Sequence, residues 1–246
     1  MQLIQKILFL DIETAPITAS YSELDPTLAH LWDEKAEQMK KRIPERYDQE
    51  SNGESMFHEA GIFAEFGRVV CISVGIIYKD GENLHLREKS FYGEDEKKIL
   101  TEFADLLNKH YQGSDCYLCG HNSKEFDFPF IARRMLVHSI PLPEILNVSG
   151  KKPWECRFLD TMEMWKFGDY KHFTSLKLLC ALFGIPTPKD DIDGSQVAGV
   201  FYNEKDYNRI AKYCEKDVLA TAQVYLRMNG METIKKENVE GSFKEG

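Results

Sequence analysis

The most constraining feature of the chain is an apolar run near the N-terminus that ends in two acids. Residues 7–10 are Ile-Leu-Phe-Leu, and Asp11, Ile12 and Glu13 follow them, which predicts a buried strand that reaches the edge of a core. Residues two apart share one face of a strand, so Asp11 and Glu13 are expected to point the same way. Like charges held this close repel, and burial raises the cost unless cations neutralise them. Carboxylate oxygens in this arrangement suit Mg2+ or Mn2+.

Each acidic element also has an ordinary structural interpretation. Asp11 could cap a turn, with Glu13 as a solvated charge. Asp127 follows a short apolar segment and begins a predicted helix, where an N-cap aspartate is common. Tyr213 and Asp217 are four residues apart, so a helix places them one turn apart on the same face, which could simply be a solvated face. Taken singly, none of the three elements indicates an activity.

Together and in this order, the three elements form a recognisable set. The motifs are Phe9-Leu10-Asp11-Ile12-Glu13-Thr14, then Gly120-His121-Asn122-Ser123-Lys124-Glu125-Phe126-Asp127-Phe128-Pro129-Phe130, then Tyr213-x-x-x-Asp217. Over roughly residues 5–230 the chain resembles the DEDD superfamily of 3′–5′ exonucleases, in the subgroup with a tyrosine in the third motif. It is most similar to the proofreading domain of family-B DNA polymerases and to stand-alone bacterial proteins related to that domain. The resemblance implies an α/β, ribonuclease-H-like three-layer fold with a mixed five-stranded sheet.

The resemblance also implies a catalytic centre with two divalent metal ions, Mg2+ or Mn2+. Asp11 would bridge both ions, and Glu13 and Asp217 would complete the first. Asp127 would support the second ion through water. Tyr213 would hydrogen-bond the attacking water or the scissile phosphate. Such a pair of ions activates a water and stabilises the leaving 3′ oxygen, and it also offsets the charge of four carboxylates.

Three further residues are implied as substrate contacts. Thr14 could offer its main-chain N–H to the 3′ end of the substrate, and Asn122 could contact the nucleotide near the terminus. Phe126 could also meet the substrate, although its pattern favours a core position. Residues 166–173 interleave aromatic and cationic side chains, as strand-binding grooves do. The stretch after the second motif is locally basic, through Lys151, Lys152, Arg157, Lys166, Lys171, His172 and Lys177.

Composition narrows the class of partner. The net charge of −9 over 246 residues argues against a protein that coats long nucleic acid, but not against an enzyme that grips a few nucleotides with its own cations. The sequence contains no apolar run of membrane length and no signal-peptide pattern, so a cytoplasmic location is the expectation. The six cysteines are expected to be reduced and to act as small core residues.

The pattern predicts a single domain over residues 1–232 and a polar tail over 233–246, which is expected to be unstructured from residue 235 onwards. Residues 16–60 are polar and irregular, with one helix near 27–41, and are interpreted as an inserted flap. Strands are predicted at 68–78, 84–91 and 116–120, helices at 95–110, 128–138 and 204–228, and a loop at 190–199. Thr174 or Ser175 is expected to cap a further short helix that Gly184 ends.

The function predicted from these features is metal-dependent 3′–5′ exonuclease activity on single-stranded 3′ ends, with DNA as the favoured substrate and nucleoside monophosphates as products. An exoribonuclease on the same fold is the first alternative, since one sequence does not show whether a side chain reads the 2′-OH. A non-catalytic nucleic-acid-binding domain is the second. The third is an interaction module that uses the 16–60 segment to meet a polymerase or helicase partner.

Overall fold

The protein is built on one mixed β-sheet. A computed structural model describes residues 4–169, 173–186 and 192–242. The strands are β1 Ile7–Pro16, β2 Gly67–Asp80, β3 Asn83–Tyr92, β4 Tyr117–Gly120, β5 Phe158–Asp160 and β6 Val239–Glu240. Their order across the sheet is β5-β4-β1-β2-β3-β6, with β2 antiparallel to β1 and β3, and the other pairings parallel.

Helices cover both faces of the sheet, which gives three layers. They are α1 Pro26–Arg42, α2 Gly53–Met56, α3 Glu96–His110, α4 Asp127–Val137, α5 Thr161–Lys166, α6 Leu176–Phe183, α7 Val197–Gly199 and α8 Tyr207–Met228. A π-helical turn, Val200–Glu204, leads towards α8. No helix in the described ranges has both the length and the apolar character needed to cross a bilayer.

The alternation of side chains along β1 decides what lies on each face. Leu8, Leu10 and Ile12 point into the core shared with α3 and α4. Ile7 and Phe9 point to the opposite face, where they pack under α8. Asp11 and Glu13 continue the same alternation as Ile7 and Phe9, so both acids lie on the α8 face of β1.

The predicted five-stranded sheet is corrected to six strands, and the prediction of an unstructured tail is wrong for residues 236–242. β3 would otherwise present an open edge, and unpaired edge groups readily accept another strand. Val239 pairs with Leu86, and the Arg87 guanidinium donates to the Glu240 carboxylate at 2.9 Å. Ile234, just before this segment, is buried and exchanges two 2.8 Å hydrogen bonds with the side chain of Gln223. Residues 243–246 of the predicted tail lie outside the described residues.

The segment between β1 and β2 has a small core of its own. Trp32 of α1 is fully buried, packs edge-on against Phe57 and Phe66, and donates its indole N–H to the Gly53 carbonyl at 2.7 Å. Ala36 of the same helix is also fully buried, whereas Leu31 is 45% exposed. The flap interpretation of residues 16–60 stays a prediction.

Most of the predicted elements are confirmed, with shifts at their ends. Ser175 caps α6 and Gly184 ends it in the left-handed region. α8 begins at Tyr207, later than predicted, because Lys205 adopts a positive φ and Asp206 accepts the Arg209 N–H as a cap. The predicted 190–199 loop instead contains α7, and residues 190 and 191 lie outside the described part. β5 and α5 were not predicted from the sequence. All six cysteines are free, and all except Cys156 are buried.

Candidate active site

Asp11 and Glu13 lie on the same face in the middle of β1. Glu13 is only 7% exposed, whereas Asp11 is partly exposed and opens the site to solvent. A β-bulge between Glu13 and Thr14 shifts the pairing with β2 at this point. Bulges bend a strand and redirect its side chains, and they are frequent next to active sites. The bulge therefore ends the regular alternation directly after the second acid.

α8 crosses the same face and carries the third motif together with Cys214. The Cys214 thiol donates to the main-chain carbonyl of Asp11 at 3.3 Å and to its Oδ2 at 3.4 Å. Tyr213 and Asp217 lie on adjacent turns of this helix, as predicted, and both are partly buried. The charge of Asp217 contributes to raising the pKa of Asp11 and of Glu13, so its carboxylate belongs to the same electrostatic cluster.

Asp127 reaches the cluster from the first residue of α4. Its Oδ1 accepts the main-chain N–H of Ile12 at 3.1 Å, and the residue is 4% exposed. The alternative of an ordinary N-cap does not hold, since α4 begins at Asp127 itself and the N-cap position is Phe126. The Asp127 carboxylate therefore contacts β1 at Ile12, the residue between Asp11 and Glu13.

The loop that carries the second motif is organised by Asp160, at the end of β5. Its carboxylate accepts the N–H groups of Asn122 and Lys124 at 3.0 Å each, and those of Met162 and Glu163 at 2.9 and 3.2 Å. Asn122 adopts φ +63°, a left-handed conformation that asparagine tolerates better than most residues. Asp160 thus fixes both the loop before α4 and the first turn of α5.

Two neighbours complete the packing of this loop. A Cβ at Gly120 would fall 1.8 Å from the Ser123 hydroxyl, so only glycine allows the loop to fold back this closely. His121 Nε2 donates to the Thr174 carbonyl at 2.9 Å, and Nδ1 lies 2.9 Å from the Thr161 hydroxyl. Burial lowers the pKa of His121, which favours the neutral ring. The histidine therefore ties the second motif to residues 173–175.

The electrostatics of the cluster disfavour three ionised carboxylates in the absence of a cation. Burial and then the charges of Asp127, Asp217 and Glu13 raise the pKa of Asp11 well above its usual range. Burial, followed by Asp217, does the same to the pKa of Glu13. Burial raises the pKa of Asp127 to about 7, although the hydrogen bond from the main-chain N–H of Ile12 opposes the shift. Because these sites interact, they titrate as a group.

The residues present fit a divalent-cation centre. Glu13 is more than nine-tenths buried, yet no hydrogen bond or ion pair reaches its carboxylate from the described residues. No lysine, arginine or histidine in the same part of the chain offsets the charges of Asp11, Glu13 or Asp127. Buried charges are normally paired or bound to metal. An all-oxygen set of carboxylates is the donor chemistry that Mg2+ and Mn2+ prefer.

The three predicted substrate contacts occupy different settings. Thr14 lies just past the bulge, partly exposed. The Asn122 Oδ1 atom is buried and has no hydrogen-bond partner within the described ranges. The Phe126 ring packs 5.5 Å from that of Phe130, against the core beneath α4, which agrees with the packing interpretation. A substrate role for these three residues stays a prediction.

The predicted basic stretch divides into two groups. Arg157 precedes β5 and is engaged structurally with the Gly113 carbonyl and with Glu144. Lys152 lies over the ring of Trp154 at the same edge of the sheet, where β1, β4 and β5 begin, opposite the carboxylates. Lys166 is the last residue of α5, the helix whose first turn Asp160 caps on the side of the second-motif loop. Lys171 and His172 lie outside the described residues.

Two residues of the site were not predicted from the sequence. Asp160 lies at the end of a three-residue strand, and its signal was the Asp-x-x-Glu spacing of Asp160 and Glu163, which resembles a helix-capping pattern. Cys214 was assigned to the core stripe of the last helix. It is buried as expected, but its sulfur also touches Asp11, which the 3.6-residue period does not reveal.

The fold and the acidic cluster together are consistent with the ribonuclease-H-like class of nucleases. Residues 62–244 match a family described as a predicted 3′–5′ exonuclease related to the exonuclease domain of PolB. The chain belongs to this family. The matched segment contains Asp127, Tyr213 and Asp217, and it begins after Asp11 and Glu13. An uncharacterized protein of Methanocaldococcus jannaschii is 25% identical over 160 residues, which are 63% of this chain and 82% of that protein.

Proposed function

We propose that the protein is a divalent-metal-dependent 3′–5′ exonuclease of the tyrosine subgroup, which removes nucleoside monophosphates from single-stranded DNA 3′ ends. Family membership supports nuclease activity at the coarser level. The observation that carries the finer proposal is the clustering of acids from β1, α4 and α8, with no compensating side-chain cation next to Asp11, Glu13 or Asp127 within the described ranges. A purely structural arrangement would not accumulate this repulsion.

Each acidic residue has a role that follows from its position. Asp11, partly exposed and central to the cluster, would be a ligand of the divalent cations. Glu13 and Asp217 approach from β1 and α8, and Asp127 approaches from α4 while it remains bonded to Ile12. When bound, two divalent cations would supply an activated water and stabilise the leaving 3′ oxygen.

Tyr213 lies one helical turn before Asp217, so its hydroxyl can position a water or a phosphate oxygen beside the carboxylates. A phenol has an ordinary pKa near ~10, which makes positioning, and not deprotonation at neutral pH, the role proposed for it. The ring itself packs with the apolar cluster around Cys214, which holds the hydroxyl in place.

Exposed aromatic rings beside the second-motif loop support a single-stranded substrate. Phe167 is 91% exposed and adopts φ +44°, while Phe173 is 69% exposed. Lys166 Nζ lies 4.7 Å from the centre of the Phe173 ring. Unpaired bases stack on such rings, and a neighbouring cation attracts the phosphates. The His121 contact with Thr174 holds this surface next to the second motif.

The proposed function is tested with end-labelled single-stranded DNA and RNA of the same sequence, incubated with Mg2+, Mn2+ or EDTA. A ladder that shortens from the 3′ end with either ion and not with EDTA is the expected result for DNA. Faster shortening of the RNA would favour the exoribonuclease alternative. Binding without shortening, under all three conditions, would favour a non-catalytic nucleic-acid-binding domain.

A further inference from the structure

A thiol lies inside the acidic cluster. Cys214 Sγ and one carboxylate oxygen from each of Asp11 and Glu13 all lie within 4.8 Å of one another. Cys214 is fully buried, and its thiol already contacts Asp11 Oδ2 at 3.4 Å. The third member, Glu13, is buried and has no hydrogen-bond or ion-pair partner from the described residues. The cluster is therefore not a set of carboxylates alone.

The spacing of these atoms fits a cation bound to sulfur and oxygen together. In a tetrahedral zinc site with Zn–S of about 2.3 Å and Zn–O of about 2.1 Å, the sulfur and oxygen lie roughly 3.6 Å apart. The 3.4 Å between Cys214 Sγ and Asp11 Oδ2 is close to this value. All three pairs of donor atoms lie within 4.8 Å of one another, so one cation could contact all three after small side-chain adjustments.

Cations differ in their use of such a donor set. Mg2+ and Mn2+ prefer oxygen and leave a thiol unused, whereas Zn2+ and Cd2+ bind thiolate strongly. A thiophilic cation would bind Cys214 as a thiolate, with the thiol proton released to solvent, along with two carboxylates that the catalytic ions also need. Occupancy by the two kinds of cation would then be mutually exclusive.

We propose that Asp11, Glu13 and Cys214 form a binding site for a thiophilic divalent cation, of which Zn2+ is the cellular representative, and that its occupancy inhibits the nuclease. The inhibitory half of this inference rests on the proposed function. The binding half rests only on the donor set and its geometry.

Binding is measured first, with Cd2+ titrated into the metal-free full-length protein. A cadmium–thiolate bond gives an ultraviolet charge-transfer band, which carboxylate coordination does not give. We expect this band to saturate at one equivalent in the wild type and in Cys116→Ser, a buried cysteine at the opposite edge of the sheet. The band should be lost in Cys214→Ser, whose hydroxyl can still donate to Asp11. Added Zn2+ should displace Cd2+ and remove the band.

A second variant tests whether the carboxylates take part. Glu13→Gln leaves the thiol in place and removes one ligand charge, so Cd2+ affinity should fall by about tenfold or more. Circular dichroism and thermal melting check that each variant is folded, and Glu13→Gln still decides the question if Cys214→Ser is not. A band that persists unchanged in Cys214→Ser, or keeps wild-type affinity in Glu13→Gln, overturns the proposal. Absence of the band in the wild type also overturns it.

Inhibition is measured separately, as Zn2+ titrated against Mn2+-supported cleavage of single-stranded DNA. The midpoint for Zn2+ should rise by about tenfold or more in Cys214→Ser relative to Cys116→Ser. An equal midpoint in the two variants overturns the inhibitory half. Failure of the proposed function is distinguishable: if the wild type cleaves no nucleic acid with any ion, the exonuclease proposal fails, and the Cd2+ titration still decides the cation site.

Discussion

The main-chain N–H of Ile12 donates to Asp127 Oδ1 across 3.1 Å, between residues 115 positions apart. Ile12 stands between the two acids of β1, so this bond locks the third acid to the strand that carries the first two. The amide is thereby satisfied inside the core, and Asp127 is fixed before any cation arrives. Preorganised ligands of this kind bind metal without first paying for conformational order.

Two substitutions of Asp127 separate its charge from its hydrogen bond. Asp127→Asn keeps an oxygen for the Ile12 N–H, whereas Asp127→Ala removes it, so only the alanine variant should melt at a lower temperature in EDTA. Both should lose nuclease activity by about 100-fold or more, since each lacks the charge. Wild-type protein should gain melting temperature in millimolar Mn2+, and both variants should gain less. A wild-type melting curve unaffected by Mn2+ would argue against a preformed metal centre.

The extent of sequence-based prediction differs between elements for physical reasons. β1 was predictable because its apolar run is long enough to indicate a buried strand without any other information. The alternation of side chains then places Asp11 and Glu13 on the same face. α8 was predictable because its apolar period extends over six turns. That period also identified Tyr213 and Asp217 as neighbours on one face.

The remaining parts depend on contacts that no local pattern encodes. β6 has two residues, and it forms because β3 offers an open edge. β5 has three residues, so the position of Asp160 could not be separated from an ordinary loop acid. The buried role of Trp32 depends on the Gly53 carbonyl, 21 positions away. The resemblance supplied the combination of motifs, whereas the Cys214–Asp11 contact required coordinates.

Asp160 provides a test of how the second-motif loop is held. Asp160→Ala leaves four N–H donors without their acceptor, and we expect a loss of about 3 kcal/mol of unfolding free energy. Activity should fall even at temperatures where the variant is folded, because the loop that precedes Asp127 is released. The matched control is Asp95→Ala, which removes the cap of α3 and should cost about 1 kcal/mol with activity retained. Equal activity of the two variants would show that the loop needs no anchor.

Glu88 predicts a pH-dependent stability that is separate from the candidate site. It is 9% exposed, its Oε1 has no partner among the described residues, and burial together with Glu215 raises its pKa to about 8. A carboxyl whose pKa is raised by folding contributes fully to the stability of the folded protein when the pH is below its pKa in the unfolded chain. That contribution is lost as the pH rises through its pKa in the folded protein.

The melting temperature of Glu88→Gln should therefore equal that of the wild type near pH 5 and exceed it at pH 9. The expected gain at pH 9 is at least about 2 °C, which corresponds to roughly 1 kcal/mol in a chain of this length. Glu82→Gln, on the exposed turn of the same hairpin, is the control and should show no such pH-dependent difference. A constant difference across this pH range would mean that Glu88 is ionised throughout.

Removal of the exposed aromatic rings after α5 should weaken DNA binding without affecting metal binding. The double variant Phe167→Ala, Phe173→Ala should bind single-stranded DNA about tenfold more weakly or worse, since each stacked base is worth ~1–3 kcal/mol. Fluorescence anisotropy measures this in an Asp217→Ala background, where the oligonucleotide is not consumed. Trp154→Ala is the control, because that ring is 77% exposed at the opposite edge of the sheet. Equal weakening by both changes would indicate nonspecific adhesion to exposed rings.

The third motif allows a graded test of the chemistry. Asp217→Ala removes a charge that a cation needs, so activity should fall to background and the Mn2+-induced gain in melting temperature should shrink. Tyr213→Phe deletes one hydroxyl and keeps the ring that packs near Cys214, so stability and metal affinity should hardly change.

Turnover of Tyr213→Phe should drop by roughly 10–1000-fold, which is the usual effect of losing a positioning or acid–base contact. KM should move little, because the contact is made mainly in the transition state. Steady-state cleavage of labelled single-stranded DNA over a range of substrate concentrations measures both quantities. If Tyr213→Phe keeps full turnover while Asp217→Ala is inactive, the carboxylates carry the reaction alone and the tyrosine is structural. Full activity in both variants would place the observed cleavage outside this cluster.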